Sequence, residues 1–244
     1  FERLSKESRA QENNAPEFLR THPVNTNRIA DAVGRAEAYG HRQKPDSLRF
    51  HLTRTDLRQR SFRRADQAVE SFRRTLKEGR YANETAEHYG LALALERAGN
   101  LGEASSEAKT LRAKLPQQAE MVILVARLQR RRGDLDAALA AYEELRRADT
   151  ANIAVLTRIG QIQAEKKDYE KALAIFRDVL QKEPANGEAH FAMGLSLESM
   201  KRYDEALDAL AKVPAKDPRY VDALLHRGYV YGQLERFDEA TAVF

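Results

Sequence analysis

Residues 153–186, IAVLTRIGQIQAEKKDYEKALAIFRDVLQKEPAN, decide how this chain reads. Apolar residues recur at helical spacing in two blocks, split by the polar turn Lys167-Asp168 and closed by Pro184. Proline has no N–H and restricts the residue before it, so it stops the second block. The stretch is therefore one helix–turn–helix of 34 residues, and the flanking sequence repeats it. Counting units from Thr85, the eighth place holds Ala92, Ala126, Gly160, Gly194 and Gly228. The twentieth holds Ala104, Ala138, Ala172, Ala206 and Ala240, and the seventeenth Leu101, Leu135, Tyr169, Tyr203 and Phe237. Small residues at places 8 and 20 let two antiparallel helices approach closely. Large residues at place 17 and at place 24 (Tyr142, Phe176, Leu210, Phe244) are expected to fill the space between neighbouring units. Pro116, Pro184 and Pro218 close three units at place 32.

Helix, short turn, helix and proline stop on a 34-residue period resembles the tetratricopeptide repeat. The resemblance covers 85–244, as 85–118, 119–152, 153–186, 187–220 and a truncated 221–244. It implies an all-α fold, a right-handed superhelical solenoid of helix-turn-helix repeats that takes a protein or peptide ligand in its concave groove. Upstream the phase slips, because Ala68 lies 36 residues before Ala104. Leu48, Leu52 and Leu57, then Ala68, Phe72 and Leu76, predict a divergent helical hairpin over 46–84, with Gly79 as a C-cap. Stacked repeats normally end in a polar cap. Phe237, Val243 and Phe244 read instead as an uncovered apolar face, and a start at Phe1 as a cut, so both ends suggest a longer parent.

Residues 1–45 are not a repeat. A helix is expected from about Thr26 to Tyr39, with Ile29, Ala32, Val33 and Ala36 as its apolar stripe. The string PEFLRTHP, followed by RIADA and then by a helical array, resembles the distal end of the catalytic domain in Ste24-type zinc metalloproteases. The periplasmic β-barrel assembly-enhancing proteases of Gram-negative bacteria are the best-known example of that type, and the resemblance extends over roughly 1–115. It implies a zinc-dependent parent acting in outer-membrane protein quality control, a periplasmic location, and contact with the parent's own protease domain. It also makes His22 a regulatory switch over a metal site. That site is not written here. No two of His22, His41, His51, His88, His190 and His226 are four apart, so there is no HExxH helix, no catalytic or metal residue is assigned in this chain, and it should be inactive alone. The other reading is a stand-alone, non-enzymatic scaffold.

Composition narrows the chemistry further. Across 244 residues there is no Cys, which removes disulfides, thiolate metal sites and a Cys nucleophile, and suits cytosol as well as periplasm. The longest aliphatic run, residues 121–126, is far short of the ~20 residues a membrane helix needs. Net charge is +4, with most of the basic excess in 49–80. That stripe reads as a solvated or docking face, since stacking aromatics are not interleaved as nucleic-acid binders use them. In tetratricopeptide arrays, places 2, 5, 9, 12 and 13 of the first helices face the groove. The candidates are thus Tyr89, Leu93 and Arg97; Ile123, Arg127 and Arg131; Thr157 and Gln161; Phe191 and Leu195; Leu225 and Tyr229. Tyr89, Phe191 and Tyr229 are the expected apolar anchors, with Arg127 and Arg131 pairing a ligand's acidic groups.

Overall fold

The computed structural model describes residues 34–35 and 45–244. The chain divides into two compact units, 1–47 and 48–244. Of the first unit, Gly34 and Arg35 are helical; His22 and nearly all of the helix expected over 26–39 lie outside the described residues. The second unit is all α. It runs α1 (Leu48–Ser61), α2 (Ala65–Glu78), α3 (Glu84–Arg97), α4 (Leu101–Lys114), α5 (Ala119–Arg131) and α6 (Leu135–Ala148). It continues through α7 (Ile153–Glu165), α8 (Tyr169–Lys182), α9 (Gly187–Ser199), α10 (Tyr203–Ala211), α11 (Tyr220–Gln233) and α12 (Phe237–Ala242).

Local chemistry places the ends. Asn83, Asp134, Asn152 and Asn186 each precede a helix, and their side chains accept the N–H of Ala86, Ala137, Val155 and Ala189. This satisfies donors that a helix start leaves unpaired. Each turn inside a repeat passes through a left-handed residue at the fifteenth place: Gly99, Gly133, Lys167, Lys201 and Glu235. Gly79 ends α2 at φ 64°, as its position predicts, with Arg80 N–H donating to the Thr75 carbonyl. The helix of unit 187–220 that Pro218 was expected to close ends earlier, at Ala211. Pro214 intervenes, so this helix has 9 residues against 14 for α8.

From α2 onward every helix packs on its sequence neighbours, and α7 also touches α9, as α9 touches α11. This is a helix-turn-helix solenoid. Ala104, Ala138, Ala172 and Ala206 are fully buried. The place-24 residues do more than fill the gap between units. Phe176 lies over Gly160 and Leu210 over Gly194 of their own hairpins: a Cβ on either glycine would come within 2.5–2.6 Å of them. Their clusters then continue into the next unit, Phe176 with Ala189 and Tyr142 with Val155 and Ile159. The small residue at place 8 is the notch that admits the large one.

Residues 46–84 differ from the expected hairpin. α1 and α2 are joined by only Phe62, Arg63 and Arg64, yet their backbones do not pack side by side; Arg58 reaches over Phe72, and each helix packs on α3. The reason is visible at Gly90, where a Cβ would meet Thr55 of α1 at 2.2 Å and Phe72 of α2 at 2.4 Å. The bare backbone of α3 draws both helices in.

Candidate functional site: the face of the first helices

The expected groove residues fall on α3, α5, α7, α9 and α11, but the structure does not offer them equally. Leu93 is 5% exposed and Thr157 2%, so neither is open to a ligand. Thr157 Oγ1 donates to the Ile153 carbonyl of its own helix. Tyr89 is half-buried against the core around α3, where desolvation raises the pKa of its phenol. Ile123 is half-buried against Ala126, Tyr142 and Val155.

Arg97, Arg127 and Arg131 are already engaged. Arg97 donates to the backbone carbonyls of Gln59 (2.8 Å), Phe62 (2.7 Å) and Arg63 (3.1 Å) at the end of α1. Arg127 Nε donates to Glu96 at 2.8 Å and its Nη2 takes the other carboxylate oxygen. Arg131 reaches the Glu96 carbonyl and stands 3.8 Å from its carboxylate. The two arginines expected to pair a ligand's acids therefore pair the chain's own Glu96, on the first helix of the preceding unit. At this end, Asp56, Gln59 and Arg60 of α1 form one wall of a polar cleft; Arg127 and Arg131 form the other.

Gln161 is likewise committed. Its amide donates to Glu188 at 2.9 Å, alongside Arg158 (2.7 Å) and Arg219 (3.0 Å). Burial alone would push the Glu188 carboxyl up. The Gln161 hydrogen bond and the charges of Arg158 and Arg219 outweigh it and hold the group below its usual 4.5. A depressed carboxyl stabilises the fold above its unfolded pKa and loses that contribution as pH falls through the lower folded value. Glu188→Gln is accordingly expected to lower stability at pH 7 and to flatten the acid side of the stability curve below about pH 4.5. Urea titrations of both chains from pH 7 to 3 check this: parallel curves would sink it.

The far end is different. Phe191 and Leu195 of α9 are half-buried, and Leu225 and Tyr229 of α11 are each 54% exposed. They form two i, i+4 pairs on neighbouring helices, the spacing that aligns side chains on one face. Two open clefts of about 350 Å³ lie here, one including Gln161, Phe191, Leu195 and Ser199, the other Glu198, Leu225, His226 and Tyr229. The bordering charges are paired: Arg130 Nε donates to Glu165 at 2.8 Å, and His226 Nδ1 is 2.8 Å from Glu198. The His226 ring also meets Phe191 edge-on at 5.7 Å. What remains unsatisfied on this face is apolar area.

The networks around Glu96 and Glu188 escaped sequence reasoning, although a signal exists. Opposite charges 30–35 residues apart, as in Glu96/Arg127, Arg130/Glu165 and Arg158/Glu188, fall near the repeat length and so on adjoining first helices. Among the described residues no group of three or more His, Asp or Glu could hold a metal ion, and no helix is long and apolar enough to cross a membrane.

Comparison with known proteins agrees with this architecture. No curated protein matches the chain. Among solved structures, MamA from Desulfovibrio magneticus RS-1 is 18% identical with a TM-score of 0.56, covering 67% of this chain and 92% of its own. A tetratricopeptide repeat protein from Parabacteroides merdae ATCC 43184 is 18% identical with a TM-score of 0.60, covering 79% of this chain and 77% of its own. At such identities the likeness is one of fold. Two tetratricopeptide repeat models match the sequence, one over 89–153 and the other over 129–190 and 163–227. Together they span 89–227, more than half of the chain, which belongs to the tetratricopeptide-repeat family.

Proposed function

We propose that this chain is a non-enzymatic binding scaffold that holds a peptide segment of a partner protein on the α9–α11 face. The observation that carries this reading is the exposed pair Leu225 and Tyr229 beside Phe191 and Leu195, in a setting where the neighbouring charges are already paired. A ligand gains little by competing for those polar contacts. It gains by covering apolar area, at roughly 25 cal/mol per Å² before the costs of association. The segment is thus one with two or more large apolar side chains, read as anchors in a groove. Selection of a displayed random 15-residue peptide library tests this. Selected peptides should carry such apolar residues and lose at least tenfold in affinity to the Phe191→Ala/Tyr229→Ala chain. Peptides that bind this variant unchanged would refute the assignment.

A finer reading makes these repeats the binding half of a periplasmic zinc metalloprotease in outer-membrane protein quality control, with His22 as a switch and the protease domain as an internal partner. It is supported by the string of residues 16–23. The sequence holds no HExxH pair, and among the described residues no group of three or more His, Asp or Glu could hold a metal ion. Reading the open reading frame ahead of Phe1 decides it, since the proposal requires an HExxH helix there.

A further inference from the structure

α1 is the one helix in the second unit that leaves its sequence neighbour for another partner, and it docks in an unusual way. It buries Leu52 but also His51, Thr55 and Gln59, and half-buries Arg58. His51 Nδ1, Gln59 Oε1 and Arg58 Nε are buried there without a hydrogen-bond partner. Meanwhile Leu57, 64% exposed, faces outward. Core helices bury the apolar side and satisfy their polar atoms. This one leaves Leu57 in water and buries several polar atoms unpaired, so its docking rests on Leu48 and Leu52 and on a few polar contacts.

Those contacts are specific. Arg58 forms a two-point pair with Glu87 of α3, and its guanidinium lies 4.0 Å over the Phe72 ring. Arg97 takes three carbonyls at the end of α1. Thr55 fits the bare backbone of Gly90, and Leu52 joins the cluster of Leu91, Leu93 and Leu95. Each feature is one that recognises a helix: a notch, an apolar seat, a buried carboxylate for an arginine and a donor for free C-terminal carbonyls.

We propose that the face of α3 beneath α1 (Glu87, Gly90, Leu93 and Arg97, with Phe72 at its edge) is a second binding site, which α1 fills in cis and vacates for a partner helix. The ligand is a helix of α1's own chemistry: Leu, a small β-branched residue three places on, Arg three places further, and a C-terminus within the next turn. Leu52, Thr55 and Arg58 spell this pattern. The site stands independently of the α9–α11 reading.

The probe is a fluorescein-labelled peptide of residues 46–64, added to the full chain. In the Arg58→Glu chain the cis helix sets a second carboxylate against Glu87, which is 3% exposed, and should vacate the site. The peptide should bind this variant at least tenfold more tightly than the unmodified chain, and the same peptide carrying R58E should bind neither. In the unmodified chain, α1 amides should exchange at least tenfold faster than those of α3, a measurement that needs no variant. Equal affinity for the two chains, or equal protection of α1 and α3, would overturn the proposal. A peptide selected on the α9–α11 face should bind both chains alike, which separates failure of that reading from failure of this one.

Discussion

Phe176→Ala is expected to destabilise the array by about 3–5 kcal/mol, the range for deleting a fully buried aromatic ring. The ring has no exposed surface and makes contacts in two directions. It covers Gly160 of its own hairpin and joins Leu156, Ala172 and Val179 to Ala189 of the next unit. Alanine would leave a cavity that Gly160 cannot fill, because glycine has no side chain to swing into it. The loss falls on the interface that couples two repeats as well as on one hairpin. Urea denaturation followed by circular dichroism should show a lower midpoint for the transition that includes α7–α9. A loss below about 1 kcal/mol would mean that the helices collapse onto the void, and that the notch is not rigid.

Arg58→Ala has the next largest expected effect and a different physical origin. Glu87 is 3% exposed and Arg58 is its ion-pair partner, with one of the two hydrogen bonds at 3.0 Å. Removing one side of a buried pair strands the other charge, which typically costs 3–5 kcal/mol. Here the protein has a cheaper response: α1 can lift away and let water reach Glu87. The measured cost should therefore stop at the free energy that docks α1, with amide protection lost in α1 and kept in α5–α11. Arg58→Met/Glu87→Met removes both charges and should recover most of the loss. If the single variant unfolds every helix together, α1 is an integral part of the core.

Sequence made the solenoid legible because its cause is periodic. Alanines at place 20, small residues at place 8 and prolines after the second helix each solve one steric problem at fixed spacing, so composition by place reveals the hairpins. Place 24 was visible as bulk, but the direction of that bulk was not. Only the crossing of the helices puts Phe176 over Gly160 as well as against the next unit. The groove was half legible. Leu225 and Tyr229 lie exposed at the predicted places, whereas Leu93 at the equivalent place is covered and Arg127 is held by Glu96. Position rules name which side of a helix a residue occupies. They do not say whether a neighbouring helix has already spent its charge. α1 was the least legible element, since its placement rests on the gap at Gly90 and on contacts of Leu52, Arg58 and Arg97 that no periodic feature marks.

Helices of the second unit pack on their near neighbours along the stack, reaching two places away where α1 meets α3, α7 meets α9 and α9 meets α11. Information about folding therefore travels down the array like a signal along a chain of relays, each link able to fail on its own. A bound segment laid across α9 and α11 would be a wire that bypasses those relays. Its signature would be a steeper unfolding curve as well as a later one, because repeats that once melted separately would be obliged to melt as a single body.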